Sequence, residues 1–134
     1  ETENAIQTAR GQRLGDLLRR SALRFPGKTA LVYQEQRKSF SELDELVNRT
    51  ANALASKGVG KGDHIALLSH NNLSFVVIRF ALARLGAVTV PINFMLNASE
   101  VAYILENGEV CGMVVEDALA EVADAASETM NPLR

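Results

Sequence analysis

His64-Ile-Ala-Leu-Leu-Ser69 is apolar at Ile65, Ala66, Leu67 and Leu68 in succession, with no polar residue interleaved. A strand with one wet face alternates, so an unbroken run bounded by turn residues reads as a parallel strand covered on both faces. Before it, the glycines of Gly58-Val-Gly-Lys-Gly-Asp63 break the chain; after it, Asn71 or Asn72 is placed to cap a helix over 73–85, which Gly86 ends. Val88-Thr-Val90 reads as a second strand closed by Pro91. Asn97 with Glu100 three residues on has the form of a capping box opening a helix to about Asn107, terminated by Gly108. Cys111 to Val115 reads as a third strand and Asp117 to Ala126 as an acidic helix. Strand and helix thus alternate, and each crossover is long enough for a right-handed parallel unit. The predicted class is α/β, a mostly parallel sheet with helices on both faces.

Upstream of this core, apolar residues at Leu14, Leu17, Leu18 and Ala22 mark a helix that Pro26-Gly27 stops. Thr29 to Gln34 reads as a strand, and polar residues Glu35 to Lys38 turn the chain toward a short extended piece ending at Phe40. Ser41 is the expected N-cap of the next helix, whose stripe is Leu43, Leu46, Val47, Ala51 and Leu54. Residues 1–12 are polar and aperiodic, a loose lead-in; 13–126 form the α/β body and 127–134 a tail.

The chain has 134 residues, enough for one core. With 47% hydrophobic and 22% charged residues, disorder is not expected. Fourteen Lys and Arg against sixteen Asp and Glu give a net charge of -2 with no dense basic stretch, which argues against nucleic acid. Phe75 to Leu85, interrupted by Arg79 and Arg84, is too short to span a bilayer, so no transmembrane segment is expected. That helix is apolar nearly all round, as a helix buried on more than one side is; with its second cover expected from sequence beyond this chain, an exposed apolar patch and self-association that hides it are predicted. Cys111 is the single cysteine, which excludes an internal disulfide and fits a reducing cytoplasm.

Few residues suggest chemistry. Gly58–Asp63 has the glycines and lysine of a phosphate cradle but lacks the Ser or Thr that a P-loop needs after its Gly-Lys pair. It also precedes a strand, whereas open α/β folds bind phosphates at the carboxyl end of the sheet; a helix stop and turn is the better reading. Ser69-His70-Asn71-Asn72 does lie at the carboxyl end, where a histidine can bind an anion or act as a base. No acid or nucleophile is paired with it in sequence, so a surface loop with an asparagine cap is favoured. His64 reads as a half-exposed strand residue and Cys111 as core filler without a basic neighbour. Two separate histidines and one cysteine do not make a metal site. Asp117, Glu121, Asp124 and Glu128 recur at helical spacing, as on a solvated face.

Taken in order, Phe25-Pro-Gly-Lys-Thr-Ala-Leu31, Ser39-Phe-Ser-Glu-Leu43, Asn48-Arg-Thr-Ala-Asn-Ala-Leu54 and Gly58–Asp63 resemble the start of the adenylate-forming enzymes. Leu85-Gly-Ala-Val-Thr-Val-Pro-Ile-Asn93 and Glu100-Val-Ala-Tyr-Ile-Leu105 extend the likeness. Asn93-Phe-Met-Leu96 favours CoA ligases over peptide-synthetase adenylation domains, while His70 and Asn97-Ala98 depart from the usual pattern in loops. The resemblance implies a fragment of the large N-terminal domain of an AMP-forming acyl-CoA synthetase acting on fatty or related carboxylic acids. It implies ATP, Mg²⁺ and CoA for the full-length enzyme, with the rest of the synthetase chain as partner. The family's phosphate loop, acidic metal motif and C-terminal lysine match nothing up to Arg134, so no catalytic, cofactor or metal residue is assigned and the chain alone is expected to be inactive. The alternatives left open are a small-ligand-binding α/β module with its crevice near His70, and a non-catalytic interaction domain.

Overall fold

The computed structural model describes residues 13–128; the lead-in 1–12 and positions 129–134 of the tail lie outside the described residues. A 3-10 turn over Leu14–Asp16 runs into helix α1 (Leu17–Arg24), and strands β1 (Thr29–Tyr33) and β2 (Gln36–Ser39) pair as an antiparallel hairpin. Helix α2 (Phe40–Ser56) follows. The chain then alternates through β3 (His64–Leu68), α3 (Leu73–Leu85), β4 (Val88–Ile92), α4 (Ala98–Asn107), β5 (Gly112–Val115) and α5 (Ala120–Glu128), the last entered through a 3-10 turn at Asp117–Leu119. The sheet is parallel throughout, in the order β4-β3-β5. This is the expected α/β class with the hairpin set apart from the main sheet.

The apolar run accounts for the central strand. Ile65, Ala66, Leu67 and Leu68 are all buried, because β3 has a strand on either side and helices above and below. Ala66 and Leu68 form rows with Val90 and Ile92 of β4 and with Met113 and Val115 of β5; these pack beneath Val101 and Leu105 of α4 and Ala123 and Ala126 of α5. The opposite face carries Ile65 and Leu67 and lies toward α3, whose Val77 and Ala81 join a second core with Leu18, Leu43, Val47 and Ala51. Arg84, one of two cations in this mostly apolar helix, pairs with Asp44 of α2 at 2.7 Å.

Three local expectations are corrected. Ser39, not Ser41, caps α2: its hydroxyl accepts from the Glu42 N–H while the Glu42 carboxylate accepts from the Ser39 N–H, a reciprocal box that the Ser39-Phe-Ser-Glu42 spacing already spells. β4 does not close at Pro91 but continues to Ile92. Val88 N–H donates to the Asp63 carbonyl, so alternate amides face β3 and position 91 falls where an amide would point away; proline therefore costs the ladder nothing. Cys111 lies just before β5 and is half-buried rather than core. Helix α3 also differs from expectation. Covered by α2 and the sheet, it leaves Phe75 and Phe80 half-buried, and the large apolar residues that are exposed, among them Leu23, Met95 and Tyr103, lie elsewhere.

Gly86 ends α3 at φ 75°, where a side chain is strained, and a Cβ there would meet Lys61 Cγ at 3.2 Å. Among the described residues no helix is long and apolar enough to cross a membrane.

Candidate functional site at the carboxyl end of the sheet

In a parallel sheet all strands deliver their following loops to one edge, so the β3–α3, β4–α4 and β5–α5 loops emerge together. The β3–α3 loop is Ser69-His70-Asn71-Asn72. Asn72 caps α3, its side-chain oxygen accepting from Phe75 N–H at 2.8 Å. Ser69 is buried, 7% exposed, and so needs partners within the protein.

Those partners converge on a residue the sequence reading did not single out. Glu116, directly after β5, is fixed by its own N–H donating to the Leu68 carbonyl at 3.0 Å. Its Oε2 accepts from the His70 backbone N–H at 2.8 Å, from His70 Nδ1 at 3.0 Å and from the Ser69 hydroxyl at 3.0 Å. Asn72 Nδ2 approaches the same oxygen at 3.4 Å and donates to Ser69 Oγ at 3.2 Å. A carboxylate oxygen only accepts, so the His70 proton sits on Nδ1. The backbone bond from His70, then its ring bond, hold the Glu116 carboxyl below the usual carboxylate range, against the opposing effect of burial. The asparagine cap is as expected, and the acid partner that His70 lacks nearby in sequence comes from 46 residues along the chain. The His70 ring also lies against Phe94 of the β4–α4 loop, centroids 4.3 Å apart.

Beside this network is a cavity of about 320 Å³. Leu67, Ile78 and Val114 supply apolar walls, while Ser69, Asn72 and Glu116 supply polar ones, with Asp117 also on the lining. Such a mixture, an apolar floor with a few converging polar groups, suits a small organic ligand better than a bare ion.

The other sequence candidates lie apart from it. Gly58–Asp63 is at the amino end, and its amides are used internally: Gly60 N–H donates to Asp63 Oδ2 at 2.7 Å and Gly62 N–H to the Gly86 carbonyl at 3.0 Å. The loop is a turn, and it does not fit the cradle that an ATP phosphate would need. His64 donates from Nδ1 to the Gly108 carbonyl at 2.6 Å, and Cys111 Sγ lies 3.5 Å from the His64 carbonyl. Asp117, Glu121, Asp124 and Glu128 are exposed, as a solvated face should be. Among the described residues no three His, Cys, Asp or Glu side chains group as metal ligands.

Comparison with known proteins identifies the arrangement. Residues 18–133 match the family of AMP-binding enzymes. A crotonobetaine/carnitine–CoA ligase of Salmonella paratyphi A is 38% identical over 109 residues, 78% of this chain and 21% of that protein. The N-terminal domain of FACL13 from Mycobacterium tuberculosis superposes with a TM-score of 0.85 at 34% identity, over 91% of this chain and 31% of that one. A Mycobacterium tuberculosis fatty acyl CoA synthetase gives a TM-score of 0.83 at 34% identity, over 90% of this chain and 24% of its own. The chain spans about a fifth of the length of the curated relative. With its parallel sheet and its ordered sequence motifs both matched, this chain belongs to the AMP-binding enzyme family.

Proposed function

We propose that this chain is the N-terminal scaffold of an ATP-dependent acid–thiol ligase. The reaction class joins a carboxylic acid to CoA through an acyl-adenylate, with AMP and pyrophosphate released. The observation that carries this reading is the likeness to the crotonobetaine/carnitine–CoA ligase across 78% of the chain. The acid is read as a fatty or related carboxylic acid, supported by the likeness to the fatty acyl CoA synthetase. The cytoplasm is the proposed location, in keeping with a single cysteine. In this reading the chain provides a rigid sheet, and the groups that handle ATP, Mg²⁺ and CoA come from elsewhere in the longer protein.

ATP–pyrophosphate exchange by the full-length gene product, across carboxylates of different length, tests the assignment. Exchange with medium or long acids is expected. Exchange confined to short or charged acids overturns the substrate class, and none with any acid overturns the ligase reading. A ligand-binding module is the second reading, favoured by the cavity beside Glu116. Calorimetric titration of the 134-residue chain with Mg·ATP is expected to give no tight binding; a micromolar Kd would favour the module.

A further inference from the structure

Glu116 joins segments far apart in sequence. One carboxylate oxygen takes three donors from Ser69 and His70, and the His70 ring carries the connection on to Phe94. Three loops that leave the sheet from three strands are thus tied at one point. We propose that Glu116 and His70 form a charge-dependent latch that holds the three loops at the carboxyl end of the sheet in one arrangement and releases them in acid. The latch stands independently of the ligase reading.

The physical basis is the number of donors on one acceptor. An ionised carboxylate satisfies the His70 amide, the His70 ring and the Ser69 hydroxyl together, and bonds to a charged acceptor are stronger than neutral ones. Once protonated, the carboxyl group loses that charge and becomes a donor itself at one oxygen, so the donors facing it lose their common partner. The sign follows from the depressed folded-state value of Glu116. The latch is complete above the ordinary carboxylate range and is lost as pH falls through the lower, folded-state value. Other charges at this end are few. Asp117 lines the same cavity from the β5–α5 turn, and Glu100 beyond the β4–α4 loop accepts from Asn97 N–H at 2.9 Å. The first turn of α3, Leu73-Ser-Phe-Val76, contributes no charge. Ser69, Asn72 and Glu116 also wall the cavity, so releasing them widens access to its apolar floor.

Hydrogen exchange on the full chain tests this, comparing wild type with Glu116→Gln and correcting rates for their intrinsic pH dependence. At neutral pH the substitution is expected to speed exchange roughly ten-fold across residues 69–73 and 93–97. Amides of 65–68 in β3 should keep their protection. On acidification the wild-type loops should rise to the variant's rates, while the variant's corrected rates stay flat. If Glu116→Gln fails to fold, β3 exchanges as well, and His70→Phe carries the test, since it keeps a ring beside Phe94 and removes Nδ1. Faster loop exchange with β3 still protected then supports the latch. Loops as well protected in both variants as in wild type overturn it, as does wild-type loop protection that does not change with pH.

Discussion

His64 and His70 stand at opposite ends of the same strand, and each donates from Nδ1 to an oxygen more than forty residues away. At the amino end the acceptor is a backbone carbonyl, that of Gly108, and most surrounding joints are backbone too: Gly62 to Gly86, Val88 to Asp63, Cys111 to His64, with the Asp63 carboxylate also accepting from Gly60 N–H. At the carboxyl end the acceptor is a carboxylate, and side chains of Ser69, His70 and Asn72 gather round it. One end of β3 is therefore fastened mainly through backbone groups, the other mainly through side chains that meet at one carboxylate. The difference separates architecture from adjustability: the amino end resists substitution through conformation, the carboxyl end through charge.

Substitution at the amino end gives the largest effect. Gly86→Val forces a β-branched residue to φ 75° and brings its Cβ against Lys61. The expected loss is about 1–3 kcal/mol, read as a fall in Tm of several degrees by calorimetry. A variant melting with wild type would show that the amino end is not conformationally fixed. Next is Asn72→Ala at the carboxyl end, which strips the Phe75 N–H of its cap. Urea unfolding should register about 1 kcal/mol, and a loss as large as that of Gly86→Val would erase the contrast between the ends. The smallest is His64→Phe, which removes the bond to Gly108 but keeps a ring of similar size. A loss of about 0.5 kcal/mol is expected, at the low end for a neutral hydrogen bond. Exchange at residues 69–73 should not respond, and a response there would mean that the two ends communicate along β3.

Most of the fold was legible because it rests on local signals. The apolar run of β3, an asparagine cap at 71 or 72, the Asn97 cap and the Gly86 stop each declare themselves within a few residues, and the structure settles the first cap on Asn72. The Ser39 cap was equally local and was misplaced by two residues, since Ser41 lies in the same turn and the Glu42 pairing decides between them. The site was not local. Linking Glu116 to His70 requires knowing that β5, not only β4, lies beside β3, and nothing in the spacing of strands states their order. Phe94 was invisible for the same reason. Its contact with His70 depends on where two loops end up, and no periodic pattern records that.

Pro91 has a further meaning for how this sheet meets other polypeptide. Its missing amide lies on the outward side of β4, so a strand approaching that margin would find a carbonyl but no donor at the matching step. The margin at β5 carries no such block. Cys111 N–H turns toward His64, and by alternation the amides of Gly112 and Val114 turn outward. The two borders of the sheet therefore differ at one step, where β4 offers a strand no donor and β5 offers one at every outward position.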